Sequence, residues 1–485
     1  MTLYFVEGDE DMSETKYDIV ILGGGTGGYM AAIRAAQLGK SVAVVEKDKL
    51  GGTCLHRGCI PSKAMLRSAE LYATMKRSEE YGITAASVEL QLPGVMSRKQ
   101  RIVDQLHQGV QYLMKKNKID VYYGNGRIIG PSIFSPRSGA VSVEKEDGDI
   151  DMLLSQNLII ATGSRPRILP GLEADGTYIL SSDDALQLEE LPKSIVIVGG
   201  GVIGVEWASM MSDFGVEVTV VELDQRLVSL EDQDISKELE RLFKKRKINL
   251  VTGAKLITES IQIVDNQVIL QAEKQGESIQ LRADKVLVSV GRLANVEGIG
   301  LESTDIKVEK GVIHVNAKLQ TTESHIYAIG DVIGGLQLAH VAGHEGIAAV
   351  EHICGLDTHR YEPHLIPRCT YTRPEIASVG WTEKQAVDQG RKVKTAKYSF
   401  KAIGKALVYG ESDGFVKVIA DEETNDILGV HMIGPHVTDF ISEAALAQVL
   451  NATPWEVGQT IHPHPTLSEI MGEAMLAVDG KALGI

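Results

Sequence analysis

The chain has 485 residues, with 49 Lys and Arg against 65 Asp and Glu, a net charge of −16. That balance argues against nucleic acid or an anionic membrane as partner, since both want basic surface, and no apolar run approaches the roughly 18 residues of a transmembrane helix. With 44% hydrophobic and 24% charged residues it reads as a globular protein too long for one core, organised in about three domains.

The first sixteen residues, MTLYFVEGDEDMSETK, are acidic and contain no arginine, which is wrong for a secretory signal or transit peptide. They are expected to form a frayed tail, or to reflect a start upstream of Met12, and the protein is read as cytoplasmic. A first β-loop-α-β unit follows: YDIVIL (Tyr17 to Leu22), then GGGTGG with Gly23, Gly25 and Gly28 at the G-x-G-x-x-G positions, a helix through Leu38, and SVAVVE ending at Glu46. One glycine serves the turn, one the approach to a pyrophosphate, one the packing of helix against sheet, and the acid accepts from a ribose hydroxyl.

Directly after it, GGTCLHRGCIPSK places Cys54 and Cys59 five residues apart. On a regular helix such a pair lies about 140° apart, with α-carbons roughly 8 to 9 Å apart, beyond the roughly 7 Å a disulfide tolerates. A bridge therefore needs local unwinding, for which Gly58 is suited, and would be readily reduced. Half a metal site and two buried thiols are the other readings of the pair alone. Cys354 and Cys369 lie far away in sequence, so this is no secreted disulfide scaffold.

Further along, ATGSRP (Ala161 to Pro166) follows the apolar run LLSQNLII and offers small residues for a crossover beside a ligand. A second complete fingerprint spans Ser194 to Glu222, with Gly199, Gly201 and Gly204 in SIVIVGGGVIG and Glu222 closing VEVTVVE. Two fingerprints imply two dinucleotides. Glu222 accepts from a free 2′-hydroxyl and repels a 2′-phosphate, and no arginine follows until Arg226, so NAD is preferred to NADP. The bland reading is a decayed copy kept for packing. VLVSVGR then ends in Gly291 and Arg292, and HIYAIGDV brings Asp331 out of an apolar strand, placed to accept from sugar-like hydroxyls unless it is a helix cap.

From about Tyr361 the composition changes to alternating stretches such as YSFKAIG and GFVKVIA, then helical EAALAQVL and GEAMLAV, an α+β domain without a nucleotide loop. Within it HPHPTLSE holds His462, His464 and Glu469. Pro463 and Pro465 fix the backbone, which is unsuited to a flexible metal tract, while a histidine with a nearby carboxylate is the ingredient pair of a general base.

Paired dinucleotide loops, Cys-x4-Cys followed by Ile60, Pro61, Ser62 and Lys63, then ATGS, Gly330-Asp331 and HPTLSE, in that order, resemble the pyridine nucleotide-disulfide oxidoreductases from Tyr17 onward. Glutathione reductase-like members place tyrosine, alanine and arginines where Val202, Gly204 and Glu222 stand here. Mercuric reductases and large thioredoxin reductases carry a second redox pair near their C-terminus, where this chain has GKALGI. The residues side with the members that serve 2-oxo acid dehydrogenase complexes. One departure is His56-Arg57, where the family more often has Asn-Val; it bears on the electrostatics of the thiols.

The resemblance implies an α/β fold of two Rossmann-like dinucleotide-binding domains plus a C-terminal α+β dimerisation domain: FAD domain 1–156 and 282–352, NAD domain 157–281, interface domain 353–485. FAD would meet Gly23, Gly25, Gly28, Glu46, Gly52, Thr53, Lys63, Gly126, Thr162, Gly163, Asp331, Leu338, Ala339 and His340. NAD would meet Gly199, Gly201, Val202, Ile203, Gly204, Glu222 and Gly291. Cys59 would face the flavin and Cys54 exchange with substrate, Lys63 would pair with Glu206, and His464, oriented by Glu469, would be the base supplied by the other subunit of a homodimer. The implied partners are a lipoyl domain and the acyltransferase core of a 2-oxo acid dehydrogenase complex, with no metal. The competing expectations are an NAD(P)H-dependent reductase of a small disulfide and a non-catalytic scaffold.

Overall fold

Val42–Glu46, sequence VAVVE, is buried at every residue, as a strand must be when both faces of a parallel sheet are covered. It belongs to a seven-stranded sheet ordered Asp120–Tyr123, Val42–Glu46, Glu14–Leu22, Ile150–Ile160, Ala140–Glu144, Asn125–Ile129, with Ile326–Ala328 paired to Ile150–Ile160. Side chains alternate between two cores. Val20, Leu22, Ala43 and Val45 enter one, with the segment from Ala294 to Ile313, and Ile19, Ile21, Val42 and Val44 enter the other, with the helices Thr26–Gln37 and Ala339–Ile353.

The computed structural model describes residues 14–131, 137–358 and 362–484. They form two compact units, one from the described residues of Met1–Pro61, Gln100–Arg165 and Arg292–Arg360, the other from those of Ser62–Lys99, Pro166–Gly291 and Tyr361–Ile485. The first strand begins earlier than Tyr17. Glu14, Thr15 and Lys16, read as tail, pair in register with Met152, Leu153 and Leu154, because Ile150–Ile160 is long enough to give their backbone partners. Residues 1–13 lie outside the described part.

The second unit repeats the pattern. Its parallel sheet runs Asn249–Thr252, Glu217–Glu222, Ser194–Val198, Lys285–Val288, Ile179–Leu180, and again the two faces of Ser194–Val198 feed separate cores, Ile195 and Ile197 in one, Val196 and Val198 in the other.

The same unit carries an antiparallel sheet ordered Arg368–Thr370, Glu375–Gly380, Ile427–Gly434, Phe415–Asp421, Val393–Ser399. Two details differ from the alternating pattern. YSFKAIG leaves the strand at Ser399 for a short 3-10 turn over Phe400–Ala402. GFVKVIA is buried on both faces: one side packs on the helices Val437–Val449 and Glu469–Ala477, while on the other Lys417, 3% exposed, donates to Asp232 (2.9 Å), Asp234 (2.9 Å) and Glu383 (2.6 Å). Burial opposes the charge of Lys417, but these carboxylates raise its pKa.

Candidate active site

Leu22 ends a strand whose two sheet neighbours, Val42–Glu46 and Ile150–Ile160, lie on opposite sides, and Val198 stands likewise between Glu217–Glu222 and Lys285–Val288. Such reversals open a crevice at the strands' carboxyl ends, and each glycine loop starts there. The outer glycines are demanded by the protein itself. A Cβ on Gly28 would sit 1.9 Å from Gly23 O and one on Gly23 2.3 Å from Ala161 O; on Gly204 it would sit 1.9 Å from Gly199 O, and on Gly199 2.4 Å from Ser289 O.

The middle glycines are not so constrained. A Cβ on Gly201 would meet nothing within 4 Å, and one on Gly25 only Gly52 Cα at 3.9 Å. Both are helix N-caps without a side-chain cap bond, on Thr26–Gln37 and Val202–Phe214. The first-turn N–H groups therefore have no capping side chain, as a pyrophosphate site requires. The acids brace the loops as well: Glu46 accepts from Gly24 N (2.8 Å) and Asp48 N (2.8 Å), and Glu222 from Gly200 N and from Asp224 N (2.7 Å). Arg226 donates to Ser229 O, Glu231 O and Ser236 Oγ, so its fork is committed to its own loop.

In the first unit the strand Val42–Glu46 leads into a strap that returns to the glycine loop. Gly51 N donates to Gly24 O at 2.8 Å, and a Cβ on Gly52 would lie 2.6 Å from Gly25 Cα. The helix Gly52–Arg57, carrying Thr53 and Cys54, starts on that strap. It stops at Gly58 (φ −144°, ψ −111°), and the next helix, Cys59–Lys76, begins with the second cysteine. The unwinding expected between the cysteines is present, and a Cβ on Gly58 would be 3.1 Å from Thr53 O and 3.5 Å from Cys54 Cα.

The remaining residues expected around FAD are spread over the same unit, Lys63 excepted. Thr162 and Gly163 are clasped by Asn295: its Nδ2 donates to Thr162 O (2.9 Å), its N–H to Gly163 O (2.9 Å), and its carbonyl accepts from Thr162 Oγ1 (2.8 Å). Asp331 is no helix cap; it accepts from Ser164 Oγ, which in turn accepts from Arg292 Nε at 2.7 Å. Leu338 is the N-cap of the helix that opens with Ala339 and His340 and packs on Thr26–Gln37. Gly126 has a packing reason of its own, since a Cβ there would meet Leu22 Cδ1 at 2.3 Å.

In the second unit Glu206, buried on Val202–Phe214, accepts from Lys63 Nζ (2.8 Å) and from Tyr371 N (2.9 Å), and Lys63 Nζ lies 4.7 Å from the centre of the Tyr371 ring. Val202 is 43% exposed at the helix start, Ile203 packs on the core, and Gly291 takes φ +103° with nothing within 4 Å of a built Cβ. His464 Nδ1 and Glu469 Oε1 are 2.8 Å apart. Burial works against the Glu469 charge, but His464 and Thr466 N, which donates at 2.8 Å, hold its pKa below the usual carboxylate range. The preceding His462 is anchored to Glu443 (2.8 Å) and lies against Gly472, where a Cβ would be 3.0 Å from its Nδ1.

Several residues of these sites carried no sequence signal. Asn295 belongs to no spacing motif, and Ser164, though part of ATGSRP, carried no sign that it would bond Asp331. Tyr29 follows the first loop, and its pKa is raised by burial and by Cys54. His107, fifty residues from the cysteines, shares a hydrogen-bond acceptor with His56.

Residues 17–346 match the family described as pyridine nucleotide-disulphide oxidoreductase, and residues 366–475 match that family's dimerisation domain. The chain belongs to this family of oxidoreductases. It is 65% identical over 470 residues to a dihydrolipoyl dehydrogenase of Bacillus subtilis, covering 97% of this chain and 99% of the relative, and 42% identical over 469 residues to one of Zymomonas mobilis, covering 96% and 99%. Among solved structures it resembles LpdA from Mycobacterium tuberculosis (TM-score 0.88, 28% identity, 96% and 99% of the two chains). It also resembles the HOCl-induced flavoprotein disulfide reductase RclA from Escherichia coli (TM-score 0.84, 26% identity, 96% and 100%). Among the described residues no helix is long and apolar enough to cross a membrane.

Proposed function

We infer that the chain oxidises protein-bound dihydrolipoyl groups to the disulfide, with FAD and NAD as its cofactors. The observation that carries this reading is the strap: the helix bearing Cys54 is hydrogen-bonded onto the first nucleotide loop through Gly51, and Cys59 starts anew after the break at Gly58. The curated relatives, similar over nearly the whole chain, bear the same activity in their names.

Overall, two substrate thiols lose two electrons and two protons, NAD+ takes a hydride and one proton is released. When bound, FAD supplies the two-electron relay from sulfur and NAD the final hydride acceptor. The chain's residues do the rest. Because Nδ1 of His464 is bonded to the ionised Glu469, Nε2 is the nitrogen that takes a proton from the dihydrolipoyl thiol. The resulting thiolate attacks Cys54 Sγ, breaks the Cys54–Cys59 bond and leaves Cys59 as thiolate. Lys63, fixed by Glu206, would supply a positive charge to the flavin. His464 of one subunit serves the cysteine pair of the other in a homodimer.

Glu222 and the committed Arg226 favour NAD over NADP, which separates this reading from an NADPH-linked reductase of a small disulfide. The substrate arm is a lipoyl domain on the acyltransferase core of a 2-oxo acid dehydrogenase complex in the cytoplasm. Cys54→Ser is the direct test: lipoyl turnover should fall at least a thousandfold while NADH-to-dye activity persists. Activity of the assembled complex unchanged by the substitution would overturn the assignment and leave a scaffold role.

A further inference from the structure

The peptide joining Leu50 to Gly51 is held at both ends. Its N–H donates to Gly24 O in the first nucleotide loop. Its carbonyl, Leu50 O, lies 2.9 Å from His56 Nε2 and 2.9 Å from His107 Nδ1. A carbonyl only accepts, so both imidazoles donate, and both lone pairs are used. The rings stand edge to face with centroids 5.1 Å apart. Burial is the main cause of a lowered His56 pKa, with His107 and Lys49 adding to it against Asp48 and the bond to Leu50, so the ring is a neutral donor.

This peptide precedes two glycines in left-handed conformations. Gly51 (φ +108°) and Gly52 (φ +61°) are left-handed, and Gly51 is the N-cap of the cysteine helix. Rotating the 50–51 peptide plane would tilt that helix and Cys54 with it. His56 lies on the helix two residues after Cys54, roughly on its opposite side by helical geometry, so its bond to Leu50 O ties the back of the helix to its own cap. His107 ties the same carbonyl to the long helix Leu92–Lys116.

We propose that His56 and His107 are positioning residues for the thiol–disulfide exchange, a two-histidine clamp on Leu50 O that fixes the helix carrying Cys54 against the first nucleotide loop. The proposal rests on the functional reading above. It also gives His56, one of the two residues that depart from the Asn-Val more usual in the family, a physical role together with a histidine 51 residues away.

The test uses the full-length holoenzyme. His107→Leu keeps bulk and removes the donor; His107→Asn keeps a donor where Nδ1 stands. Loss of one hydrogen bond worth about 1.4 kcal/mol corresponds to about a tenfold change. Expected, therefore, are a roughly tenfold fall in kcat with dihydrolipoamide for His107→Leu, NADH-to-dye activity within about twofold, a shifted midpoint of the cysteine couple against a glutathione buffer, and recovery of most of the loss in His107→Asn. Unchanged lipoyl kcat and midpoint in His107→Leu would overturn the clamp, as would an Asn variant no better than Leu. Independently of folding of any variant, the 15N signals assigned to His107 in the wild-type protein should show a ring protonated at Nδ1 with that proton held in a hydrogen bond. If no such ring is found the clamp is wrong even where lipoyl turnover is normal, and if the ring is found in a protein without lipoyl turnover only the functional reading fails.

Discussion

Gly23–Gly28 and Gly199–Gly204 close on themselves alike, with the last glycine of each against the carbonyl of the first and an acid 22 residues beyond the second bracing it from the next strand. Their surroundings differ. The first loop is covered by the strap, whose Gly52 reaches Gly25, and its helix packs so closely on Ala339–Ile353 that a Cβ on Gly346 would lie 2.6 Å from Gly27 O. Among the described residues of the second unit none lies within 4 Å of a Cβ on Gly201, Val202 is exposed beside it, and Glu222 is less buried than Glu46. One fingerprint thus serves two tenures. A loop closed over by the strap that carries Thr53 and Cys54 suits a resident flavin, and an uncovered loop suits a coenzyme that leaves at every turnover.

The largest expected effect separates glycines kept for packing from those kept for ligand. Gly28→Ala or Gly204→Ala drives a methyl into a backbone carbonyl that cannot retreat, and should cost about 3 kcal/mol, at the upper end for overpacking, read as a fall in Tm of the cofactor-free protein. Gly201→Ala should leave that Tm unchanged and weaken NADH binding at least tenfold. Gly25→Ala should behave like Gly201→Ala but shed FAD instead. If Gly201→Ala lowered Tm as much as Gly204→Ala, the loop would be explained by packing throughout.

These loops were the most legible part of the chain, because each residue answers to a local geometric demand that spacing records. The break between Cys54 and Cys59 was legible for the same reason, through Gly58. What escaped was set by partners distant in sequence. Residues 14–16 join the sheet because a long neighbouring strand offers backbone partners, GFVKVIA is buried on both faces because acids far along the chain neutralise Lys417, and nothing near His107 announces that it shares a carbonyl with His56. Period-2 and period-3.6 patterns report which face is apolar; they are silent on which polar group will meet it.

A middle-sized effect sharpens the contrast between the two acids. In either loop Glu→Gln keeps one oxygen and sets an amide N–H against a backbone N–H, at a cost of about 1–3 kcal/mol where the group is buried. Glu46, 9% exposed, should show it in the fold and in flavin retention. Glu222→Gln should leave Tm within a degree or so of wild type and raise the KM for NADH about tenfold. Equal losses of Tm in the two variants would show that cover is not what distinguishes the loops.

The smallest effect is the one expected of Arg226, and it bears on the proposal that the uncovered loop takes NAD. An arginine four residues past the ribose acid is placed to read a 2′-phosphate if its guanidinium is at liberty. Here the guanidinium is bonded to Ser229 O, Glu231 O and Ser236 Oγ, which shapes the turn into the helix Gln233–Lys245, and the nearer charge, on Glu222, repels phosphate. Arg226→Leu should therefore lower Tm by about 2–4 °C, the loss of about 1 kcal/mol from a unit of this size, and leave the ratio of NADH to NADPH turnover within about twofold of wild type. A ratio that moves further toward NADH in Arg226→Leu would mean that the arginine swings out of its loop to meet the coenzyme, so that the second loop is shaped by its ligand and not held ready for it.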